Sequence, residues 1–295
     1  MKPTPKTLPS LTSLTNALLV VLLAAAACRI STNRNGIVFE SSWTTALGNS
    51  RKAVTDGGRW DQLSDFGGGR ILSVVDGGPS GYVNALRVTQ EGATGGAAYL
   101  QRNNFLASGR DFYVRYYMRN DDVNTGSYDH IVSAFFAPVP PVSLFYMQKS
   151  AAGGSWRVMI SSYGYECPND HYPINAWESP IGLPLANGVW YRFEYYIHFT
   201  TTSRIQFHLR VYDAAGSLIL SDADFRQLDY GSATWRGRSD WTLASYYAAG
   251  YDACIDPRKM TDFGMGNNAQ AGTTNTGLYW YYAGVQIRTD RWPGP

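Results

Sequence analysis

The chain has 295 residues, is 44% hydrophobic and only 16% charged, and carries a formal net charge of +2. So small a charge supplies no general electrostatic reason to bind nucleic acid. With 30 Gly, 21 Tyr and 9 Trp, strand formers and turn residues dominate, which points to an extracellular β protein.

In chain order, the first segment has the marks of an export signal. Lys2 and Lys6 give a positive start, and Ala17 to Ala27 is a short apolar run ending in small residues. Such a run is too short for a membrane span and fits a cleaved signal over residues 1–27. Ala25-Ala26-Ala27-Cys28 resembles a bacterial lipoprotein processing site, at which Cys28 becomes the lipidated first residue; ordinary cleavage nearby is the alternative. A lipid anchor there is the only membrane contact expected. Removal of Lys2 and Lys6 brings the net charge to 0. Residues 28–35 follow as a short polar linker, and 36–295 are expected to form a single domain.

Strands are predicted at Gly36–Ser41, Asn84–Thr89, Ala97–Gln101, Asp111–Arg119, His130–Phe136, Val142–Lys149 and Trp156–Ser162. More follow at Val189–Phe199, Ser203–Asp213, Leu218–Ala223 and Gly277–Thr289. Gly-rich turns separate them and helix signals are scarce, so the expected fold is all-β: a two-sheet antiparallel jelly-roll sandwich with long loops. Asp56–Gly69, Tyr163–Asn187 and Leu228–Ala271 look irregular and long enough to rim a site. Two of these loops carry Cys167 and Cys254, and in an oxidising compartment a disulfide between them is the simplest account.

The strongest signal is the pair Val189–Phe199 and Ser203–Asp213, joined by the short link Thr200–Thr202. Tyr191, Phe193, Tyr195, Ile197 and Phe199 share one parity; Arg192, Glu194, Tyr196 and His198 share the other. In the second strand, Ile205, Phe207, Leu209 and Val211 alternate with Gln206, His208, Arg210 and Tyr212. Successive side chains point to opposite faces, so a hairpin sets two polar faces side by side. The strand Asp111–Arg119 adds Tyr113, Arg115, Tyr117 and Arg119 on one parity, and His130 follows it. The 20 Arg against 5 Lys favour planar, bidentate contacts to carboxylates or sulfates. A solvated sheet face held by cross-strand pairs would show a similar pattern.

Gly188-Val-Trp-Tyr-Arg-Phe-Glu194, followed by Arg204–Asp213, resembles the G-x-W-x-R-x-E hairpin of concanavalin A-like jelly rolls, in particular heparin-lyase-like polysaccharide lyases. The final strand Tyr279–Thr289 with its tail Arg291-Trp-Pro-Gly-Pro295 resembles the closing strand of that branch, with Ala283 where an Asp is common. Ile37-Val-Phe-Glu40 resembles its first strand. Gln206-Phe207-His208 and Trp280-Tyr-Tyr-Ala-Gly284 are also similar to two motifs of jelly-roll alginate lyases, Q-[IV]-H and Y-F-K-A-G, although Trp280 and Tyr282 replace the Tyr and Lys of the second. The third motif of those enzymes, R-[ST]-E-[LV]-R, is absent at the expected distance.

The resemblance implies an exported glycan-recognising protein, in its specific form a lyase cleaving an acidic polysaccharide by β-elimination. That chemistry needs a group to neutralise the uronate carboxylate, a base and an acid. His208, Tyr212, Gln206 and Arg210 are the candidate catalytic set. Arg192, Glu194, Tyr196, His198, Arg115, Tyr117, Arg119 and His130 are the candidates for binding substrate. A non-catalytic lectin using Trp235, Trp241, Tyr246 and Tyr247 as sugar platforms is the first alternative, and a structural surface or filament subunit the second. Hydrolase chemistry fits poorly: E-x-D-x-x-E and G-x-S-x-G are missing, and none of the five Glu has a carboxylate two residues away. A structural Ca²⁺ is conceivable at Asp121-Asp122-Val-Asn124 or Asp252–Asp256, where Asx-rich turns are the commoner explanation.

Overall fold

A computed structural model describes residues 36–66, 70–79, 81–90, 94–103, 111–121, 129–138, 141–149, 155–156, 159–164, 175–178, 185–199, 204–221, 226–228, 240–242, 262–274 and 278–295. The signal run, Cys28 and the linker to residue 35, and Cys167, Cys254, Trp235, Tyr246 and Tyr247, lie outside the described residues.

The strands run β1 (Ile37–Ser41), β2 (Gln62–Phe66), β3 (Arg70–Asp76), β4 (Asn84–Gln90), β5 (Thr94–Arg102), β6 (Asp111–Asn120), β7 (Asp129–Pro138), β8 (Pro141–Lys149), β9 (Ser155–Trp156) and β10 (Met159–Gly164). They continue with β11 (Asn175–Glu178), β12 (Leu185–Ala186), β13 (Trp190–Phe199), β14 (Arg204–Tyr212), β15 (Leu218–Ser221), β16 (Arg226–Leu228), β17 (Asp240–Thr242), β18 (Asp262–Thr274) and β19 (Leu278–Arg288). A single turn of helix, α1 (Arg51–Val54), is capped by the Ser50 side chain.

Two antiparallel sheets make the sandwich. The first has the order β15-β14-β13-β6-β19-β4-β3, with β1 also on β19 and β17 also on β14. The second has the order β16-β11-β10-β8-β7-β18-β5-β2, and β12 and β9 form a separate ribbon. Strands also occur in the stretches that look irregular in sequence, as β2, β11, β12, β17 and most of β18. β2, β11 and β17 are short, with little alternation of their own, and pair because longer neighbours offer them an edge, whereas β18 is long and Gly-rich and is held between β7 and β5.

The apolar parity of β6, β13 and β14 points between the sheets. Phe112, Val114, Tyr116 and Met118 of β6, Phe193 and Tyr195 of β13, and Leu209 and Val211 of β14 are buried in one cluster with Leu100 of β5 and Phe263 and Met265 of β18. Trp60 joins the layers. Its ring lies 4.8 Å from Phe39 of the first sheet and 6.1 Å from Phe263 of the second, with Trp43 at 6.4 Å.

The polar edge of Trp60 is also satisfied. Its Nε1 donates to Ser41 Oγ at 2.9 Å, and Ser41 Oγ donates to Asp56 Oδ2 at 2.9 Å. Asp56 is a buried carboxylate with φ of 50°, a conformation that Asp tolerates better than most side chains. It also accepts from Thr45 Oγ1 at 3.2 Å and from Arg59 at 2.9 Å, so its burial leaves no lone charge. Trp60→Ala should therefore lower stability by about 3–5 kcal/mol in urea denaturation, from the cavity and the lost hydrogen bond to Ser41. A loss below about 1 kcal/mol would show that Trp60 does not hold the layers together.

Candidate functional site

The outward parity of β14, β13, β6 and β19 forms one polar face, ordered by strand register into rows. His208, Tyr196, Tyr113 and Arg288 make the first row. Arg210, Glu194, Arg115 and Gln286 make the second, which Glu40 of β1 extends. Tyr212, Arg192, Tyr117 and Ala283 make the third. Trp190, Arg119, Tyr281 and Arg87 make the fourth. From Tyr113 to Arg119 the face runs ~20 Å, at ~3.3 Å per residue.

A bulge in β19 completes these rows. Ala283 faces Tyr117 and Gln286 faces Arg115, so β19 carries one residue more than β6 between these pairs. The extra residue switches the parity. Tyr281 and Ala283 share the polar face with Gln286 and Arg288, while Val285 and Ile287 enter the core. Gly284 stands at the bulge with φ of 55°, and a Cβ there would come within 2.5 Å of the Tyr82 ring. Tyr82, brought in by the loop between β3 and β4, thus lies directly on the backbone of β19.

The predicted site residues divide into two groups. Arg115 and Glu194 are only 3% and 2% exposed. Arg115 donates to Gly284 O at 3.2 Å, to Gly294 O at 3.0 Å and to Tyr82 Oη at 2.6 Å. Those contacts make it an internal clamp with little surface left for a ligand. Arg192, Tyr196, His208, Arg210, Tyr212, Tyr117 and Arg119 are partly exposed. The Tyr196 ring lies 5.7 Å from the His208 ring and 5.0 Å from the Tyr113 ring. The Arg192 guanidinium sits 4.1 Å from the Tyr212 ring, and Arg119 is held between Tyr281 at 4.1 Å and Trp190 at 5.3 Å.

Gln206 and His198 pair in register beside the hairpin link, one row from His208 and Tyr196. Tyr212 stands four residues from His208 on β14, ~13 Å along the strand, so the two cannot serve one glycosidic bond. His130 is on β7 of the second sheet, opposite Gln148 and Asn268, and does not join the face. Trp280 and Tyr282, aligned with the Tyr and Lys of the Y-F-K-A-G motif, point into the core, where Tyr282 Oη donates to Gly266 O. Tyr281 and Ala283 are the residues of that stretch on the polar face. Two members of the site, Tyr82 and Trp292, come from segments without alternation; the one sequence signal for Tyr82 is the position of Gly284.

The charges and phenols have distinct causes. Burial, together with the Asp111 carboxylate that accepts from Tyr196 Oη at 3.0 Å, pushes the Tyr196 phenol well above its ordinary value. Burial also raises Tyr82, against the pull of Arg115, and Tyr113. All three phenols hold their protons at neutral pH. Burial raises the Glu194 carboxyl as well, although Arg192, Arg115, Arg210 and the Gly294 N–H pull the other way. Glu194 Oε1 lies 3.2 Å from Arg192 Nε, but the two are out of hydrogen-bonding alignment.

Among the described residues no group of three or more His, Cys, Asp or Glu side chains could hold a metal ion. Of the calcium candidates, Asp121 is described; its Oδ2 accepts from Arg119 at 2.8 Å. Asp252–Asp256 lies outside the described residues.

This fold recurs in known proteins. A solved endo-β-1,4-glucuronan lyase from the fungus Trichoderma reesei matches with a TM-score of 0.51 at 14% identity, over 83% of this chain and 95% of that one. A solved alginate lyase matches with a TM-score of 0.50 at 12% identity, over 88% of this chain and 98% of that one. The chain therefore has the jelly-roll fold found in polysaccharide lyases, as the hairpin resemblance implies. No protein-family model matches the sequence, and no curated protein is similar to it.

The state of Glu194 can be measured. A carboxyl whose folded value is raised stabilises the protein at low pH, and that contribution is lost as pH rises through the folded value. Thermal melts of the wild type should thus decline more steeply than those of Glu194→Gln on the alkaline side of 4.5, the ordinary glutamate value. Parallel curves would mean that Glu194 titrates as it does in the unfolded chain.

Proposed function

We propose that this chain is an exported, single-domain glycan-recognising protein that cleaves an acidic polysaccharide by β-elimination. The observation that carries the proposal is the adjacency of Arg210 and the His208–Tyr196 pair on one accessible patch. Arg210, one row from His208, offers a planar guanidinium to neutralise a uronate carboxylate, which acidifies the C5–H. His208 is the base that removes that proton. The electron pair becomes the C4=C5 double bond as the C4–O bond breaks, and a proton must reach the leaving oxygen. Tyr196 supplies it, since its phenol stays protonated and lies beside His208. Arg192, Tyr212 and the Arg119–Tyr281–Trp190 stack extend the patch along the strands, where they can hold further sugar units. The fold is shared with proteins named as glucuronan and alginate lyases, whose substrates are acidic glycans, and this supports the class of ligand.

The decisive assay is ultraviolet absorbance of the unsaturated uronate product on alginate and glucuronan. The expected result is a rise that falls by at least about a hundredfold in His208→Ala, the usual scale of losing an acid–base group, with the thermal melt unchanged. Retention on a glycan array without any rise would instead favour the lectin. A wild-type assembly of large size that binds no glycan would favour the filament subunit.

A further inference from the structure

The segment Asp290–Pro295 leaves β19 and turns back over the polar face. It is anchored at both ends. At the near end Arg288 donates to both carboxylate oxygens of Asp290, each at 2.9 Å, and the Thr289 N–H donates to Gly36 O at 2.9 Å. At the far end Gly294 meets the buried pair, with its carbonyl accepting from Arg115 and its N–H donating to Glu194. Between the anchors, the Trp292 ring lies 4.1 Å from the Arg210 guanidinium and 5.5 Å from the Tyr113 ring.

The anchors and the middle differ in kind. Gly294 satisfies groups that are buried and would be costly to leave unpaired. Trp292 and Arg210 are both partly exposed, and their cation–π contact is weaker than a charge-assisted bidentate pair between Arg and a carboxylate. A uronate approaching Arg210 can therefore outcompete the indole without disturbing either anchor. We infer that residues 290–294 form a strap in which Trp292 covers Arg210 until an acidic sugar displaces it, so that the indole gates the patch and selects for ligands bearing a carboxylate. The ligand in this statement rests on the glycan function proposed above; the mobility of the indole does not. A neutral glycan gains no compensating contact at Arg210 and leaves the strap closed. Because ligand binds only when the strap is open, its apparent affinity is reduced by the open fraction.

Fluorotryptophan-labelled protein tests this by fluorine NMR, with the Trp292 resonance identified as the one missing from Trp292→Leu. In the ligand-free protein that resonance should show exchange broadening that core Trp43, Trp60 and Trp280 do not share. Alginate oligomers should move it toward the shift of an exposed indole, and neutral xylan oligomers should not. Trp292→Ala should bind alginate oligomers about three- to tenfold more tightly than wild type, with an unchanged melt. Should Trp292→Ala fail to fold, Trp292→Leu serves for the affinity measurement, because it keeps apolar cover and removes the cation–π contact. A static Trp292 resonance, or weaker binding by a folded variant, overturns the strap and makes Trp292 a fixed cap or a sugar platform. Exchange at Trp292 with no polyuronate bound by either protein supports the moving strap but overturns the glycan function.

Discussion

A buried guanidinium must have its donors satisfied, and around Arg115 three separate segments are arranged to do so. The bulge of β19 offers the Gly284 carbonyl, the strap offers the Gly294 carbonyl, and the β3–β4 loop offers the Tyr82 hydroxyl. Glu194, next to Arg115 in register, brings the opposite charge. Removing one member of such a buried group costs about 3–5 kcal/mol, whereas an exposed ion pair contributes only about 0–1 kcal/mol. The row of Arg115 therefore fixes the path of the strap, the seat of Tyr82 and the register of β6 against β19.

That constraint divides the polar face by role. Arg115 and Glu194 belong to its foundation, because their hydrogen bonds run to the protein's own backbone. Arg210, His208, Tyr196 and Arg192 remain accessible beside them, supported by ring contacts with Tyr113, Tyr212 and Trp292. A buried base below and partly exposed groups above suit the acidic-glycan surface proposed for this face. The Tyr196 and Tyr113 phenols, raised by burial and by Asp111, stay protonated at neutral pH. In the proposed reaction, acid and base would thus sit on neighbouring strands, Tyr196 on β13 and His208 on β14.

The described apolar side chains of the second sheet serve the core. That sheet gives Phe263, Met265 and Leu100 to the common core, and Trp60 ties it to the first sheet. The jelly-roll plan thus serves the face by pairing β13, β6 and β19 so that four rows stay in register over ~20 Å.

The hairpin was legible because a period of two is a local property: Arg192, Glu194 and Tyr196 face one way wherever the strand goes. Its pairing with Gln206, His208, Arg210 and Tyr212 followed from the short link between the strands. The all-β sandwich and the apolar faces of β6, β13 and β14 were readable for the same reason. Which polar residues became foundation and which became surface was not readable, because alternation assigns a face and says nothing of what covers it. Gly294 and Tyr82 bury Arg115 from more than thirty residues away. The parity of β19 was hidden too, since one extra residue at Gly284 reverses it, and His130 was assigned by topology to the other sheet. The sequence by itself determined the long alternating strands, above all β6, β13 and β14, with their two faces and the kind of side chain on each; the tertiary structure alone decided the strands in the irregular stretches, the neighbours across strands and the segments lying over them, because those contacts depend on long-range register and on backbone brought in from distant parts of the chain.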